Sequence, residues 1–304
     1  MSKIERVKSI SEFHRVKGLP EPEHPLISVV NYADLQADDT IGDTSWVYDF
    51  YTISIKRNIN GKIYYGQQEY DFDEGVMFFI APGQVLKISQ RVAGSSNKTG
   101  WMLLVHPDFL WNTPLAKTIG KYNYFDYSAN EALFLSKKEE STALNIIENI
   151  KQEYQSNIDD FSQNIIISQL ETLLNYSERF YQRQFITRKI SNHQVLDKLE
   201  TLLNDYFKSN ELTTNGAPTV QFVSDQLNLS PGYLSNVLKL LTGKSTQQHI
   251  QEKLVALAKE KLSTTNLTVS EIAYELGFEY PQSFSKLFKT KTQLSPLEFR
   301  RSFN

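Results

Sequence analysis

Short apolar runs dominate the first third of the chain. Between about residues 26 and 106 these runs are rich in Val, Ile, Phe, Tyr and Trp, and Gly, Asn, Asp and Ser separate them. This composition is typical of short β-strands joined by turns, and "NING" at 58–61 favours a hairpin. Several short strands with little helix between them predict a β-sandwich or a small β-barrel.

The apolar spacing then changes to that of helices. One helical face carries Ala143, Ile147, Ile150 and Tyr154. A second helix is predicted over roughly 160–183, with a wide apolar stripe formed by Ile165, Ile166, Ile167, Leu170, Leu173 and Leu174. A stripe this wide needs cover on two sides, so we expect a homodimer in which it faces both its own domain and a second subunit. The alternative is that both sides are internal core.

A polar stretch, "TRKISNHQ" at 187–194, predicts a linker between two domains. It separates a first domain of residues 1–186 from a second domain of residues 195–304. Beyond the linker the pattern is helical, beginning with a helix that carries Val195 and Leu199. The segment "KSNELTTNGAPT" is predicted to be a loop.

The second domain contains an internal repeat. Five positions recur 49 residues later, and they pair Val220, Val223, Ser224, Leu227 and Leu229 with Val269, Ile272, Ala273, Leu276 and Phe278. Ser and Thr residues are placed to cap helices, and Gly243 and Gly277 stand where helices end. The repeat predicts two helix–turn–helix units over 219–242 and 268–290, joined by a helix over 245–263.

The outward faces of the second helix in each unit carry the candidate chemistry. Burial of Phe284 and Phe288 turns a polar face outward, and burial of Leu234 and Leu238 does the same in the first unit. Residues with side chains suited to base edges are Ser235, Asn236, Gln282, Ser283 and Lys286. The predicted phosphate contacts are Lys239, Lys244, Lys289, Lys291, Arg300 and Arg301. A face that is merely exposed to solvent is also polar. The occurrence of a polar face in two capped copies nevertheless favours binding to double-stranded DNA.

Charge and geometry support this interpretation. The whole chain has a net charge of -3, whereas residues 280–304 hold five Lys and Arg against the single carboxylate of Glu298. The joining helix spans roughly 27 Å at about 1.5 Å per residue. With packing offsets, that length places the two outer helices about 34 Å apart, which is one turn of duplex DNA.

Composition argues against several other classes of site. The chain has no cysteine, which excludes disulfides and thiolate metal sites. Its five histidines, at 14, 24, 106, 193 and 249, lack close ligand spacing, so we expect no metal and no other cofactor. The first residues show no secretion signal, and no apolar run reaches the ~20 residues of a membrane span. We therefore expect a cytoplasmic protein with no membrane partner.

The tail resembles a known family. "VSDQLNLSPGYLSNVLKLLTGKS" and "VSEIAYELGFEYPQSFSKLFKTKTQLSPLEFRR" are similar to the paired helix–turn–helix domain of AraC-type (AraC/XylS) transcriptional regulators over about 195–303. One departure is Gln293, where the family usually has Gly after its second recognition helix. The order of elements in the front half is similar to the family's cupin-like effector domain.

The resemblance implies a two-domain α+β fold. An N-terminal cupin-like β-barrel with a helical hairpin would precede an all-α domain of two helix–turn–helix units. It implies a non-enzymatic regulator, either an activator or a repressor, that binds double-stranded DNA and a small-molecule effector and contacts RNA polymerase. The alternatives are a cupin-type enzyme with an accessory helical domain, and an effector-independent DNA-binding protein.

An effector pocket at the barrel mouth is the remaining prediction for the front half. Its candidate lining consists of Trp46, Tyr48, Tyr51, Tyr64 and Trp101. Core packing is the competing role for each of these aromatic residues. Lys56 and Arg57 are candidates to hold an anionic ligand, although exposure to solvent is the default expectation for both.

Overall fold

Two compact units make up the chain, Met1–Gln184 and Phe185–Asn304. The computed structural model describes residues 3–35, 44–57, 63–65, 68–70, 75–87, 99–127, 131–156, 159, 161–187, 189–209 and 211–302. The hairpin predicted at 58–61 lies outside these residues. The division between the units falls two residues before the predicted end of the first domain.

The N-terminal unit is rich in β-structure, as its sequence predicts. Its strands are β1 (Lys3–Val7), β2 (Ile27–Asn31), β3 (Thr44–Tyr48), β4 (Tyr51–Arg57), β5 (Ile63–Tyr65), β6 (Gln68–Tyr70), β7 (Val76–Ile80), β8 (Val85–Lys87), β9 (Thr99–Val105) and β10 (Leu133–Phe134). They form a sheet of order β1-β3-β8, a sheet of order β10-β7-β4-β9-β2 and a β5-β6 pair.

Within the described residues these sheets do not close into the predicted cupin-like barrel. Closure requires the two edge strands to pair, but the five-stranded sheet ends at β10 and β2 within the described residues. Successive side chains of its central strand β4 point to opposite faces. One face packs on β3 and on α1 (Ile10–Val16), in a core that includes Phe13, Trp46 and Leu104. The other face packs on helices, since Met77 and Phe79 contact Ser177 and Tyr181 respectively.

The helical hairpin of this unit follows the sheets. After the short α2 (Pro114–Thr118) come α3 (Lys137–Gln155) and α4 (Ser162–Thr187). The predicted buried face of α3 is confirmed, since Ala143, Ile147, Ile150 and Tyr154 are all buried.

Most of the apolar stripe of α4 is core, and only Ile165 at its edge is exposed. Leu170 and Leu173 are 2% and 0% exposed in a single copy of the chain, whereas Ile165 is 44% exposed. The sheet and the aromatic cluster around Tyr124 cover both sides of the stripe, because Tyr124 donates to the carbonyl of Leu174. The buried part of the stripe is therefore not available to a second subunit, and a homodimer remains a prediction.

The C-terminal unit is all helical. Its elements are α5 (Lys189–Lys208), α6 (Glu211–Asn215), α7 (Val220–Leu227), α8 (Pro231–Thr242), α9 (Thr246–Thr264), α10 (Val269–Glu275), α11 (Pro281–Thr292) and α12 (Pro296–Arg301). They match the two predicted helix–turn–helix units and the helix that joins them. None of the helices in the described part of the chain is both long and apolar enough to cross a membrane.

Two polar segments differ from their prediction. Most of the linker predicted at 187–194 belongs to α5, because polar residues also form helices when a partner satisfies them. Asn192 is buried, and its side chain donates to the carbonyl of Phe185 at 2.5 Å. The predicted loop after Lys208 contains α6, which is held in place by the buried side chain of Leu212.

Candidate nucleic-acid interface

One helix, α9, supports both helix–turn–helix units. It contacts α8 of the first unit and α10 and α11 of the second. Leu234 and Leu238 of α8, and Phe284 and Phe288 of α11, are buried in the same core as the apolar face of α9. Burial of these four side chains fixes which face of α8 and of α11 remains outside.

The helices of the interface begin at capped residues. Reciprocal capping boxes join Thr268 to Glu271 and Ser295 to Glu298. These hydrogen bonds hold the pKa of both carboxyls below the ordinary range, chiefly through the backbone of Thr268 for Glu271 and the side chain of Ser295 for Glu298. The caps accept hydrogen bonds from backbone N–H groups that would otherwise have no partner in the first turn, and they thereby fix where each helix begins.

The two units end their first helices in the same way. Asn228 and Gly277, 49 residues apart in the repeat, both adopt the left-handed conformation, with φ of 54° and 74°. Leu229 and Phe278 then donate their backbone N–H to the carbonyl five residues earlier. These hydrogen bonds form the tight turn that sets each second helix across the first.

The second unit exposes its predicted base-reading residues. Gln282, Ser283 and Lys286 of α11 are exposed. In the first unit, Ser235 and Asn236 are half-buried on α8. The two units therefore offer unequal polar surfaces, and α11 offers the larger one.

The predicted phosphate contacts divide into two groups. Those exposed and without an ion pair to another described residue are Lys239, Lys289, Lys291 and Arg301. Lys244 is also exposed, but its ammonium pairs with Glu252 at 2.7 Å.

Arg300 differs from its predicted role. It is half-buried, and its Nε donates to the carbonyl of Leu262 at 3.1 Å. A cation at this position satisfies the last turn of α9 and complements the negative end of that helix. Arg300 therefore ties α12 to α9, and spacing alone could not reveal this contact.

One exposed residue of the interface was missed by the sequence analysis. Tyr280 is 59% exposed immediately before α11. It stands at the N-cap and makes no side-chain cap hydrogen bond. An aromatic residue at a position that favours Ser, Thr, Asn or Asp is the signal that could have identified it.

The aromatic residues predicted to line an effector pocket do not come together. Trp46 and Tyr48 are buried in the core between β3 and α1. Tyr51 and Trp101 belong to the other face of the five-stranded sheet, where Tyr51 packs on Phe125. The side chain of Tyr64 lies outside the described part of the structure. The order of strands, which the sequence does not reveal, separates these residues.

The two cations predicted as ligand-binding candidates are not simply solvated. Arg57 pairs with the buried Glu140 at 2.5 Å, beside a cavity of about 210 Å³ that Trp101 also lines. Lys56 is half-buried, contrary to the default expectation of exposure. Within the described residues, no group of three His, Asp or Glu side chains is placed to hold a metal ion.

Comparisons with known proteins find a known domain in the C-terminal half of the chain. Residues 223–302 match the family described as a helix-turn-helix domain. An uncharacterised HTH-type transcriptional regulator from Pseudoalteromonas carrageenovora is 31% identical over 116 residues, 38% of this chain and 64% of the relative. The arabinose operon regulatory protein of Salmonella typhimurium is 33% identical over 78 residues, 26% of this chain and 28% of the relative.

One solved structure shows a similar level of identity. The C-terminal domain of the response regulator yesN from Fusobacterium nucleatum is 29% identical, with a TM-score of 0.31, over 35% of this chain and 98% of that one. The chain spans less than two-thirds of either curated relative. The family match lies in the paired helix–turn–helix region and confirms the resemblance there. The resemblance to AraC-type regulators therefore rests on the helix–turn–helix domain that the C-terminal residues form.

Proposed function

We propose that this chain regulates transcription by inserting α8 and α11 into neighbouring major-groove segments of double-stranded DNA. The observation that carries the proposal is the exposed polar face of α11, formed by Gln282, Ser283 and Lys286, on a helix whose opposite face is fixed by Phe284 and Phe288. Donors and acceptors on a rigid helix suit the hydrogen-bonding pattern of base edges.

Position along α11 divides the proposed roles. When a recognition helix docks by its N-terminal part, early residues meet bases and later cations meet phosphates. Gln282 and Lys286 are one turn apart near the start of the helix, whereas Lys289 and Lys291 lie in its last turn. We assign base contacts to the first pair and phosphate contacts to the second, with Ser235 and Asn236 reading bases from α8.

A binding titration of single variants tests these roles. Gln282→Ala should lose about 1–3 kcal/mol of binding free energy on the tightest-binding DNA sequence and relax the sequence preference at one or two base pairs. Lys289→Ala should weaken binding to all sequences alike and reduce the slope of log K against log salt by about 1. Lys198→Ala, which removes an exposed cation of α5, is the matched control and should change neither quantity. Equal losses by Gln282→Ala and Lys289→Ala on specific and random DNA would contradict the assignment.

The spacing of the two units is tested on the DNA. Inserting ~5 base pairs between the two half-contacts turns them to opposite faces of the duplex. The insertion should abolish the contribution of α8 and leave that of α11. If the insertion is harmless, the two helices do not read adjacent groove segments of one duplex.

We also propose that the N-terminal unit senses a small molecule, as cupin-like effector domains do, and that it forms a homodimer. The start of α4 supports the dimer, because Phe161 and Ile165, one turn apart, are 69% and 44% exposed. A dimer would double the contacts with DNA and raise the overall affinity. Sedimentation of a Phe161→Glu, Ile165→Glu double variant should show a folded monomer. A folded dimer in that experiment moves the interface to another surface.

A further inference from the structure

One face of β4, which we call the inner face, is turned toward β3 and α1. This inner face carries a row of polar residues. Thr52, Ser54 and Lys56 alternate along the strand and therefore point to one face of the five-stranded sheet. Their cross-strand neighbours Met102 and Leu104 belong to the core that packs against β3 and α1. Polar side chains are uncommon on such an enclosed face, so this row calls for partners.

Lys56 has no anionic partner among the described residues. Its ammonium lies 5.1 Å from the ring centroid of Tyr32 and 5.2 Å from that of Phe78. Within the described residues no carboxylate forms an ion pair with it. Burial lowers the pKa of the Lys56 ammonium to about 8, so the group is still mainly protonated at neutral pH. Two aromatic rings offset only part of the cost of taking a cation out of water.

The groups next to Lys56 are also polar, and one of them has no partner among the described residues. Ser54 forms a hydrogen bond with the hydroxyl of Tyr32. Thr52 is 1% exposed, and its Oγ1 has no hydrogen-bond partner among the described residues. A buried hydroxyl without a partner is rare in a folded protein and marks a place where a ligand or water supplies the missing group.

This face of the sheet is partly accessible to solvent at β7. Phe78 and Ile80 lie opposite Ser54 and Thr52 on the inner face, and both are only half-buried. Apolar side chains flanking this half-buried cation create an apolar surface with a positive charge at one point. Such a surface complements a molecule with an apolar body and one negative charge.

We propose that the inner face of β4 binds a small organic monoanion whose carboxylate pairs with Lys56 and whose apolar body packs on Tyr32 and Phe78. The proposal deepens the sensing role proposed above by naming the class of ligand. One bound carboxylate neutralises the ammonium of Lys56, and its second oxygen is an acceptor for a nearby hydroxyl donor. The site lies on the opposite face of the sheet from the cavity lined by Arg57 and Glu140.

Paired probes separate charge from apolar contact. Octanoate with octanol, and benzoate with benzyl alcohol, are titrated calorimetrically into the full chain at pH 7 without DNA. At least one anion should bind one-to-one and about tenfold or more tighter than its neutral alcohol. Lys56→Met keeps the apolar stem and removes the charge, so it should lower affinity for that anion about tenfold or more and leave the alcohol unchanged.

Lys151→Met is the matched control. This lysine also lies over an aromatic ring, at 4.9 Å from the centroid of Trp101, but on the helix side of the sheet. It should bind the anion as the unaltered chain does. Loss of binding in Lys151→Met but not in Lys56→Met overturns the proposal, as does the absence of saturable binding by either anion at millimolar concentration. A chain that fails to bind DNA yet shows Lys56-dependent anion binding refutes the regulatory function and leaves the anion site in place.

Discussion

Replacement of Gly277 by Ala should destabilise the second helix–turn–helix unit far more than the same change at Gly243. Both glycines have a φ of 74°, and an alanine there costs about 1 kcal/mol through backbone conformation alone. At Gly243 a Cβ meets nothing within 4 Å. At Gly277 it would stand 2.5 Å from the Cα of Gly216 and 2.5 Å from the carbonyl oxygen of Leu212.

The contacts around Gly277 set the size of the effect. Both nearby atoms belong to the backbone, so they cannot move aside by a change of rotamer. Forcing an extra methyl group into such a contact costs about 1–3 kcal/mol beyond the conformational term. We therefore expect Gly277→Ala to lose about 3 kcal/mol and Gly243→Ala about 1 kcal/mol.

Amide hydrogen exchange of the full chain measures this difference locally. Peptides that cover α10 and α11 should exchange about 150-fold faster in Gly277→Ala, and peptides that cover α8 about fivefold faster in Gly243→Ala. Peptides from β4 and β9 serve as an internal reference and should be unchanged. Similar acceleration by the two variants would refute the reasoning, because it would mean that α6 moves away without cost.

Three further predictions concern substitutions elsewhere in the chain. Gln293 ends α11 with a φ of 64°, so Gln293→Gly should stabilise the unit by about 0.5–1 kcal/mol, seen as slower exchange in α11. Lys56→Met should raise the free energy of unfolding by up to about 3 kcal/mol at pH 7, measured by urea denaturation with tryptophan fluorescence. Because the folded state holds this proton less tightly than the unfolded chain, that gain is full below about pH 8 and disappears by about pH 10.5. Leu170→Glu with Leu173→Glu should lose its cooperative thermal transition in circular dichroism, whereas Ile165→Glu should keep it, because only Ile165 is exposed.

The C-terminal unit could be predicted because its information is local. The sequence signals for caps, helix ends and apolar spacing lie within a few residues of one another, and they occur in both copies of the repeat. Even the departure at Gln293 did not change the helix end, since the residue adopts the left-handed conformation that a glycine would. The helix that replaces the predicted linker was missed because the bond from Asn192 to Phe185 is invisible in a polar stretch.

The N-terminal unit depended on contacts that no local pattern reveals. Alternation along β4 indicates that Lys56 and Arg57 point to opposite faces, but it does not say what covers each face. That answer lies in the strand order β10-β7-β4-β9-β2, in which neighbours are far apart in sequence. The same long-range order separates Trp46 from Trp101 and converts a predicted pocket into two unrelated environments.

Asn228 and Gly277 occupy equivalent positions of the repeat but differ in what surrounds them. Asn228 holds the same left-handed turn with a side chain present, so the turn itself does not require glycine. Glycine is required at 277 because α6, which lies outside the repeat, approaches that turn, and the hydroxyl of Tyr206 anchors this approach by donating to the carbonyl of Gly216 at 2.9 Å. The second unit is thus fixed by α9 and α6 together, whereas the first is fixed by α9 and α5. Since α11 also presents the larger polar surface, displacement of α6 by Gly277→Ala should erase base preference in the α11 half of a DNA site and spare the half read by α8.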